Sequence, residues 1–551
     1  MNEHENRKRE IVRKVAEKAW NRPLLSSGLW FHGDIRDNFY YASYLFAAAV
    51  DPDEAPPFGR REAKQLAERV LSRVLRLQDG NPDSPMYGHW PLNLGEAPDE
   101  AAPHELPAEL MSSLMAYFHQ AFGGQMSETL AAEFEAALQH VYRGEFYRKP
   151  LTLCNHHEAK YTAAKLIFGE LFGDKAILED GARSLELTIE RLRLEGMAEY
   201  GCLPWFWHWI QAFTCALEFA EEPGLKRMLT DLLDGLWTLR ASNYLKGAWT
   251  GAHSRGWPHD APRDANVLFD YVQFGDFELP DEMPRTEYAG FLFHAAPEAA
   301  RGLALDRKAP AELRRALMKS VDGEKRELHA YSYIAADYAV GGLWERVREF
   351  DNEQLRWLFS LPVRGNGQGN QLYFFHPGEG YDPSGSDPRH QSGWTEVLYH
   401  KNAVMALYPL PEQDPVIKEI IGVLPAGEWI FEPEAMFGRA EGVYFAVYVG
   451  GGTYEVRPKS GYSLAVCSGS RIGIVVEAVS AGEAEEKGAA TLKDFAEMMA
   501  GRRPVFRTDG GGAAEYTGLV SGDAMSLTLL SSGSYEPCVN GNRISLDHYE
   551  I

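Results

Sequence analysis

Apolar positions recur three and four residues apart over 61–78, 108–122, 127–142, 159–172 and 175–194, and again over 206–220, 224–241, 311–321 and 394–407. That spacing predicts amphipathic helices. They are of ordinary length and joined mostly by short Gly/Pro/Asp loops, so chain neighbours should pack as antiparallel hairpins. A long series of such hairpins predicts an α/α toroid, an incomplete barrel whose loops at one end form a cleft. After Pro409 the period changes to two, over 442–449, 454–457, 463–466, 471–478, 513–520, 525–530 and 543–546. Gly450-Gly451-Gly452 and Gly510-Gly511-Gly512 read as turns between these runs. This predicts an antiparallel β-sandwich with one helical insertion at 491–499. The expected organisation is therefore multidomain, α then β: a toroid over 1–408, a linker over 409–430 punctuated by Pro409, Pro411, Pro415 and Pro425, and a sandwich over 431–551.

At 551 residues the chain exceeds one ordinary domain, and its 45% hydrophobic, 24% charged and 12% aromatic content is that of a globular protein with ample core material. The formal charge of -24 argues against a general nucleic-acid binder, which needs a basic surface. Any polyanionic ligand would need a local basic pocket. The densest apolar stretch, 203–219, contains His208 and Gln211, so no membrane span is expected. The first twenty residues alternate charges and lack the apolar core of a secretory signal, which leads to the expectation of a cytoplasmic protein. Five cysteines (Cys154, Cys202, Cys215, Cys467, Cys538) are scattered without C-x-x-C spacing, so buried free thiols are expected rather than a disulfide framework or a zinc site.

Chemistry is concentrated at four places. Asn155-His156-His157-Glu158 opens a helix: Asn155 reads as an N-cap with Glu158 completing a capping box, and the same helix end can present Asn155 and His156 to a substrate carboxylate. Glu199-Tyr200 is followed by Pro204 and by Trp205, Trp207 and Trp209 around His208. Tryptophan faces suit the CH faces of sugar rings, with helix core as the plain alternative. His253-Ser254-Arg255 lies in a Gly-bounded loop, where Arg255 is suited to forking a carboxylate, its ordinary alternative being a surface salt bridge. Residues 380–394 form a long polar loop carrying Arg389 and His390.

Asn155-His156 before a helix, Glu199-Tyr200 with Pro204 and its aromatic cluster, His253-Ser254-Arg255, and Val475-Val476-Glu477 through Phe495 together resemble the heparinase II/III-like superfamily, from about residue 60 to the end. The resemblance implies an α/α toroid with a C-terminal β-sandwich and a polysaccharide lyase acting on uronic acids, with the Asn-His pair on the uronate carboxylate. It also implies a tyrosine just after the proline as base or acid. Phe206 stands there in this sequence, so the phenol is expected from Tyr200, or else from Tyr331 or Tyr333.

In β-elimination, neutralising the carboxylate with Asn155, His156 and Arg255 stabilises the enolate-like charge that develops. A phenol of pKa about 10 becomes a usable base when a neighbouring cation lowers that value. His156, Tyr200 and His253 are the expected catalytic residues. Asn155, Arg255, Trp205, His208, Arg389 and His390 are expected to bind substrate. No metal or other cofactor is expected, and the partner is a uronate-containing oligosaccharide or polysaccharide. A homo-oligomer is left open. Two other classes stay open as well. One is a toroid glycoside hydrolase with a carboxylate pair drawn from Asp34, Asp37, Glu199, Asp260, Asp264 and Glu396. The other is a non-catalytic carbohydrate-binding relative, for which Phe206 speaks.

Overall fold

The computed structural model describes residues 2–53, 55–253, 262–321, 323–347, 354–378, 391–411, 417–507, 512–530 and 533–551. Its first half is helical: α1 (Glu3–Asn21), α2 (Ile35–Val50), α3 (Arg60–Leu75), α4 (Glu105–Phe122), α5 (Glu128–Gly144), α6 (His156–Phe172), α7 (Lys175–Glu195), α8 (Leu203–Phe219), α9 (Pro223–Ser242), α10 (Leu268–Gln273) and α11 (Glu298–Leu305). Side chains chosen by local chemistry start them, with Asp34, Ser127, Asn155, Asp174 and Glu222 each accepting a first-turn N–H. Burial divides the helices into two kinds. On α3 only the stripe Ala63, Ala67, Val70, Leu71, Val74 and Leu75 is buried, whereas α8 buries nearly every residue, including Trp207, Trp209 and Phe213. A helix apolar all round has to be enclosed. Accordingly α2, α4, α6 and α8 touch in succession as an inner layer, while α3 packs on α5 and α7 on α9 outside them. This is the expected toroid.

The segment from Ala311 to Val321 is a strand, not the expected helix. It pairs antiparallel with Glu324–Ile334 across its whole length. Its alanine, leucine, arginine and methionine are strong helix formers, so local propensity points the wrong way and tertiary pairing decides. The helix expected over 394–407 is likewise a hairpin of Glu396–His400 and Ala403–Tyr408. Apart from two short strand pairs within the helical half, strand structure thus begins at Ala311 rather than after Pro409. Residues 409–430, expected as linker, contain strand Glu419–Pro425 in the middle of the sheet.

The large sheet is antiparallel and forks. Strand Tyr462–Ser480 pairs through Tyr462–Ser468 with Glu419–Pro425, and through Ile472–Glu477 with Ala403–Tyr408. Its long partner Val443–Lys459 carries a bulge at Gly450/Gly452, where a turn was expected. A Cβ on Gly450 would sit 2.1 Å from the Phe506 ring, so only glycine fits there. The two leaves face one another: Phe359 of one meets Phe445 of the other edge-on, with centroids 6.0 Å apart, inside one buried cluster. The outer face of the second leaf is covered by α12 (Ala481–Glu486), α13 (Leu492–Ala500) and a small sheet over 505–543. Glu477 ties that sheet down, accepting from Tyr516 Oη and from the N–H groups of Leu519 and Val520.

Candidate functional site

The N-terminus of α6 supplies the first part of the site. Asn155 Oδ1 accepts the N–H groups of His157 and Glu158, both at 3.1 Å, as a cap should. Glu158 does not close the expected capping box. Its carboxylate takes the N–H groups of Thr152, Leu153 and Cys154 instead, pinning the loop before the helix. Cys154 holds a φ of 51°, a left-handed conformation uncommon for a residue with a Cβ. With the loop fixed, Asn155 and His157 line an open cleft of about 790 Å³ together with Glu105, Glu109, Lys149 and Tyr161.

His156 turns inward from this cleft. Its N–H donates to Glu199 Oε2 at 2.8 Å, and its Nδ1 lies 2.5 Å from Glu199 Oε1. Trp209 Nε1 donates to the same carboxylate at 2.9 Å. The His156 ring stacks on Trp205, 4.6 Å between centroids and 14° from parallel. Burial is the chief cause raising the Glu199 carboxyl, to about 7, against the pull of Trp209 and Lys319. Behind His156, Glu109 of α4 accepts from Lys160 at 2.6 Å, His157 at 2.7 Å and Tyr161 at 2.8 Å. Burial opposes its ionisation, but Lys160 and His157 outweigh that and hold the carboxyl below the usual range.

The Glu199–Trp205 loop is fixed by Gly201, whose φ is 63°. A Cβ there would lie 1.8 Å from Ala252 O, so the loop runs flush against the strand leading to His253. Tyr200 itself packs in an apolar cluster with Ala252, Leu317, Val321, Leu328, Leu343 and Val347, and Lys319 Nζ stands 5.2 Å above its ring. His253 belongs to the same seam between helices and sheet. Its Nε2 is 3.4 Å from Asp264 Oδ1, and Asp264 Oδ2 accepts from Asn370 at 3.1 Å.

His208, one turn along α8 from Trp205, lines a separate small cavity of about 190 Å³ with Asp34, Arg36, Asp37, Tyr40, Arg285 and Glu287. Its ring centre is 5.4 Å from that of His156. Of the expected residues, the structure therefore gathers Asn155, His156, Trp205 and His208, and places Tyr200 and His253 together at the seam. Arg255, Arg389 and His390 lie outside the described residues, as does Asp260.

The alternative phenols are not near this group. Tyr331 and Tyr333 belong to the sandwich core, Tyr331 Oη accepting the Lys401 N–H at 2.8 Å, and burial raises both hydroxyls. Phe206 is core, edge-on to Trp207 and Trp249. Of the carboxylates proposed for hydrolysis, Asp34 and Asp37 line the His208 cavity together, and the others scatter. Asp34 is paired with Arg36, Glu199 with His156 and Asp264 with Asn370, and Glu396 lies on the sandwich near Arg356.

Glu109, Lys160 and Glu287 were not marked by the sequence. Lys160 carried one signal, its position four residues after His156 on the same helix; Glu109 and Glu287 come from remote segments and carried none. Among the described residues no group of three or more His, Cys, Asp or Glu is arranged to hold a metal ion, and no helix is long and apolar enough to cross a membrane.

No protein-family model matches the chain, and no curated protein matches it. Among solved structures it is similar to a chondroitinase AC lyase studied with oligosaccharides, at 9% identity and a TM-score of 0.43, over 97% of this chain and 93% of that one. It is also similar to a heparinase III, at 9% identity and TM-score 0.40 over 99% and 90%. A mutant of the chondroitin AC lyase from Streptomyces coelicolor gives 9% and 0.40 over 96% and 88%.

Proposed function

We propose that the protein is a glycan lyase that cleaves uronate-containing oligosaccharides or polysaccharides by β-elimination, with His156 as the base. The observation that carries this reading is the His156–Glu199 pair, buried beneath Trp205 directly behind Asn155 and His157 of the cleft. With Nδ1 committed to Glu199, proton exchange falls to Nε2, and the carboxylate stabilises the imidazolium that forms. Trp205 offers a flat apolar face for the sugar ring. Asn155, His157 and Arg255 then serve the uronate carboxylate, drawing charge away from it so that the C5 proton becomes removable.

In the reaction the C5–H proton passes to His156, the C4=C5 double bond forms, and the C4–O4 bond breaks with its electrons going to oxygen. The same imidazolium returns the proton to O4. His253 and Tyr200, both placed at the seam, act in this reading by holding the Glu199 loop against the sheet.

The product tests the proposal. Incubation with uronate-containing oligosaccharides should generate an unsaturated uronate absorbing in the near ultraviolet, lost in His156→Ala. New reducing ends without that chromophore would identify a hydrolase, and binding without either product a non-catalytic relative.

A further inference from the structure

The cavity beside His208 is closed below. Tyr40 of α2 forms part of its wall, and beneath it Tyr288 is wedged among Phe39, Tyr44 and Phe118, with its hydroxyl 2.8 Å from Ser43 Oγ. His208, in the wall of the cavity, has its ring centre 5.4 Å from that of His156, which stacks on Trp205. At about 190 Å³ the cavity is smaller than the ~300–1,000 Å³ of drug-sized sites, so it suits one sugar ring rather than several.

Its lining fits hydroxyl groups better than anions. Arg36 is already forked on Asp34, at 2.6–3.1 Å, and Arg285 stands 3.8 Å from Glu287, so the carboxyl groups of Asp34, Asp37 and Glu287 outnumber the two guanidiniums. Burial raises the carboxyls of Asp37, to about 6, and Glu287, to about 7, so near neutrality Glu287 can donate as well as accept a hydrogen bond while Asp37 chiefly accepts. Burial also keeps His208 neutral, and its Nδ1 is enclosed with no hydrogen-bond partner among the described residues. An enclosed polar atom without a partner is costly in a finished structure, and a ligand hydroxyl would satisfy it. Glu287 adopts a φ of 37°, disfavoured for a residue with a Cβ, which aligns with a position held for function rather than for packing.

We propose that this cavity is a blind subsite for a terminal, uncharged, hydroxyl-rich sugar, recognised by Asp37, His208 and Glu287, and that the protein consequently acts from chain ends. The recognition of the sugar stands by itself; only the action from chain ends rests on elimination at His156.

Two measurements on the full chain separate these. Titration calorimetry with the methyl glycosides of glucose, galactose and mannose, and with glucuronate as the charged comparison, should show saturable binding of at least one neutral glycoside in preference to glucuronate. Asp37→Ala and the milder Glu287→Gln, each checked for an unchanged circular dichroism spectrum, should weaken that binding by about tenfold, the loss of roughly one hydrogen bond. Preference for glucuronate, no saturation by any neutral glycoside, or equal binding by both folded variants would overturn the subsite. On uronate oligosaccharides of increasing length, one product of constant size should appear from the first time point, and a ladder of sizes would overturn action from chain ends. If no unsaturated product forms at all, elimination at His156 fails while the calorimetry still decides the subsite.

Discussion

Two of the buried histidine–carboxylate pairs described in the helical half of this protein, His156–Glu199 and His253–Asp264, are built differently. His156 meets Glu199 at 2.5 Å through Nδ1, and its ring lies under the partly exposed Trp205 beside the cleft. His253 meets Asp264 at 3.4 Å. Its backbone pairs with Leu355 across the seam, and Asp264 is shared with Asn370 and Gln371 of the sheet side. In the proposed reading the same residue types serve two ends. One pair has a short bond and sits between Asn155 and His157 of the cleft, as the proposed proton transfer requires; the other has a long bond and many clamps, as a joint requires. Chemistry is read from the surroundings of a histidine, not from its having an acid beside it.

The comparison breaks first at His156. Replacing it with Ala should lower turnover on a uronate oligosaccharide by about 10²–10⁴-fold, the usual worth of general acid–base catalysis, while the folded fraction persists by circular dichroism. If activity per folded molecule is retained, the pair is a joint after all.

Glu199 sharpens it. Because burial lifts this carboxyl from 4.5 to about 7, the ionised form that supports an imidazolium is reached only as pH rises through neutrality. The kcat/KM profile should therefore climb with a midpoint near 7, and Glu199→Gln should lower the rate and erase that limb. Stability moves the opposite way. Between the unfolded value and about 7 the native state holds the proton more tightly, so the unfolding free energy should fall as pH rises across that window, by up to about 1.4 kcal/mol per pH unit for each such group. Denaturant titrations at pH 5 and pH 7 should show a shallower fall in Glu199→Gln than in the unaltered protein.

At the joint the expectation is reversed. Asp264→Asn should cost about 1–3 kcal/mol of stability through lost buried hydrogen bonds and leave kcat nearly unchanged. A rate loss larger than the stability loss would move His253 into the chemistry. The smallest effect is expected at Tyr200, whose ring fills an apolar cluster. Tyr200→Phe should stay within about tenfold in kcat, below the range of a lost acid–base group. A hundredfold loss would restore its hydroxyl as the acid.

What could be read in the sequence was local. Asn155 announced the start of α6, because a cap and the turn it serves are neighbours, and the apolar repeats of α3 to α9 gave the toroid. Ala311–Val321 misled for the same reason: its residues favour a helix, and only the partner Glu324–Ile334 makes it a strand. Both His156 and Glu199 stood out as members of motifs, yet nothing local says that a side chain at one meets the other 43 residues away. Glu109 and Glu287 sit in segments without any motif, and only the closing of the ring brings them to the site.

The forked sheet sets an order of events during synthesis. Strand Gln371–Phe375 finds its outer neighbour only in Glu419–Pro425, which in turn pairs with Tyr462–Ser480. On a ribosome adding about 5–20 residues per second, the first leaf waits roughly 2.5–10 seconds with an unpaired edge. The helices of the first half, complete by Leu305, are already available to fold by then. They can act as a template on which that waiting edge is sheltered, so a helical half unable to close early should show itself as aggregation of the nascent chain before any loss of catalysis.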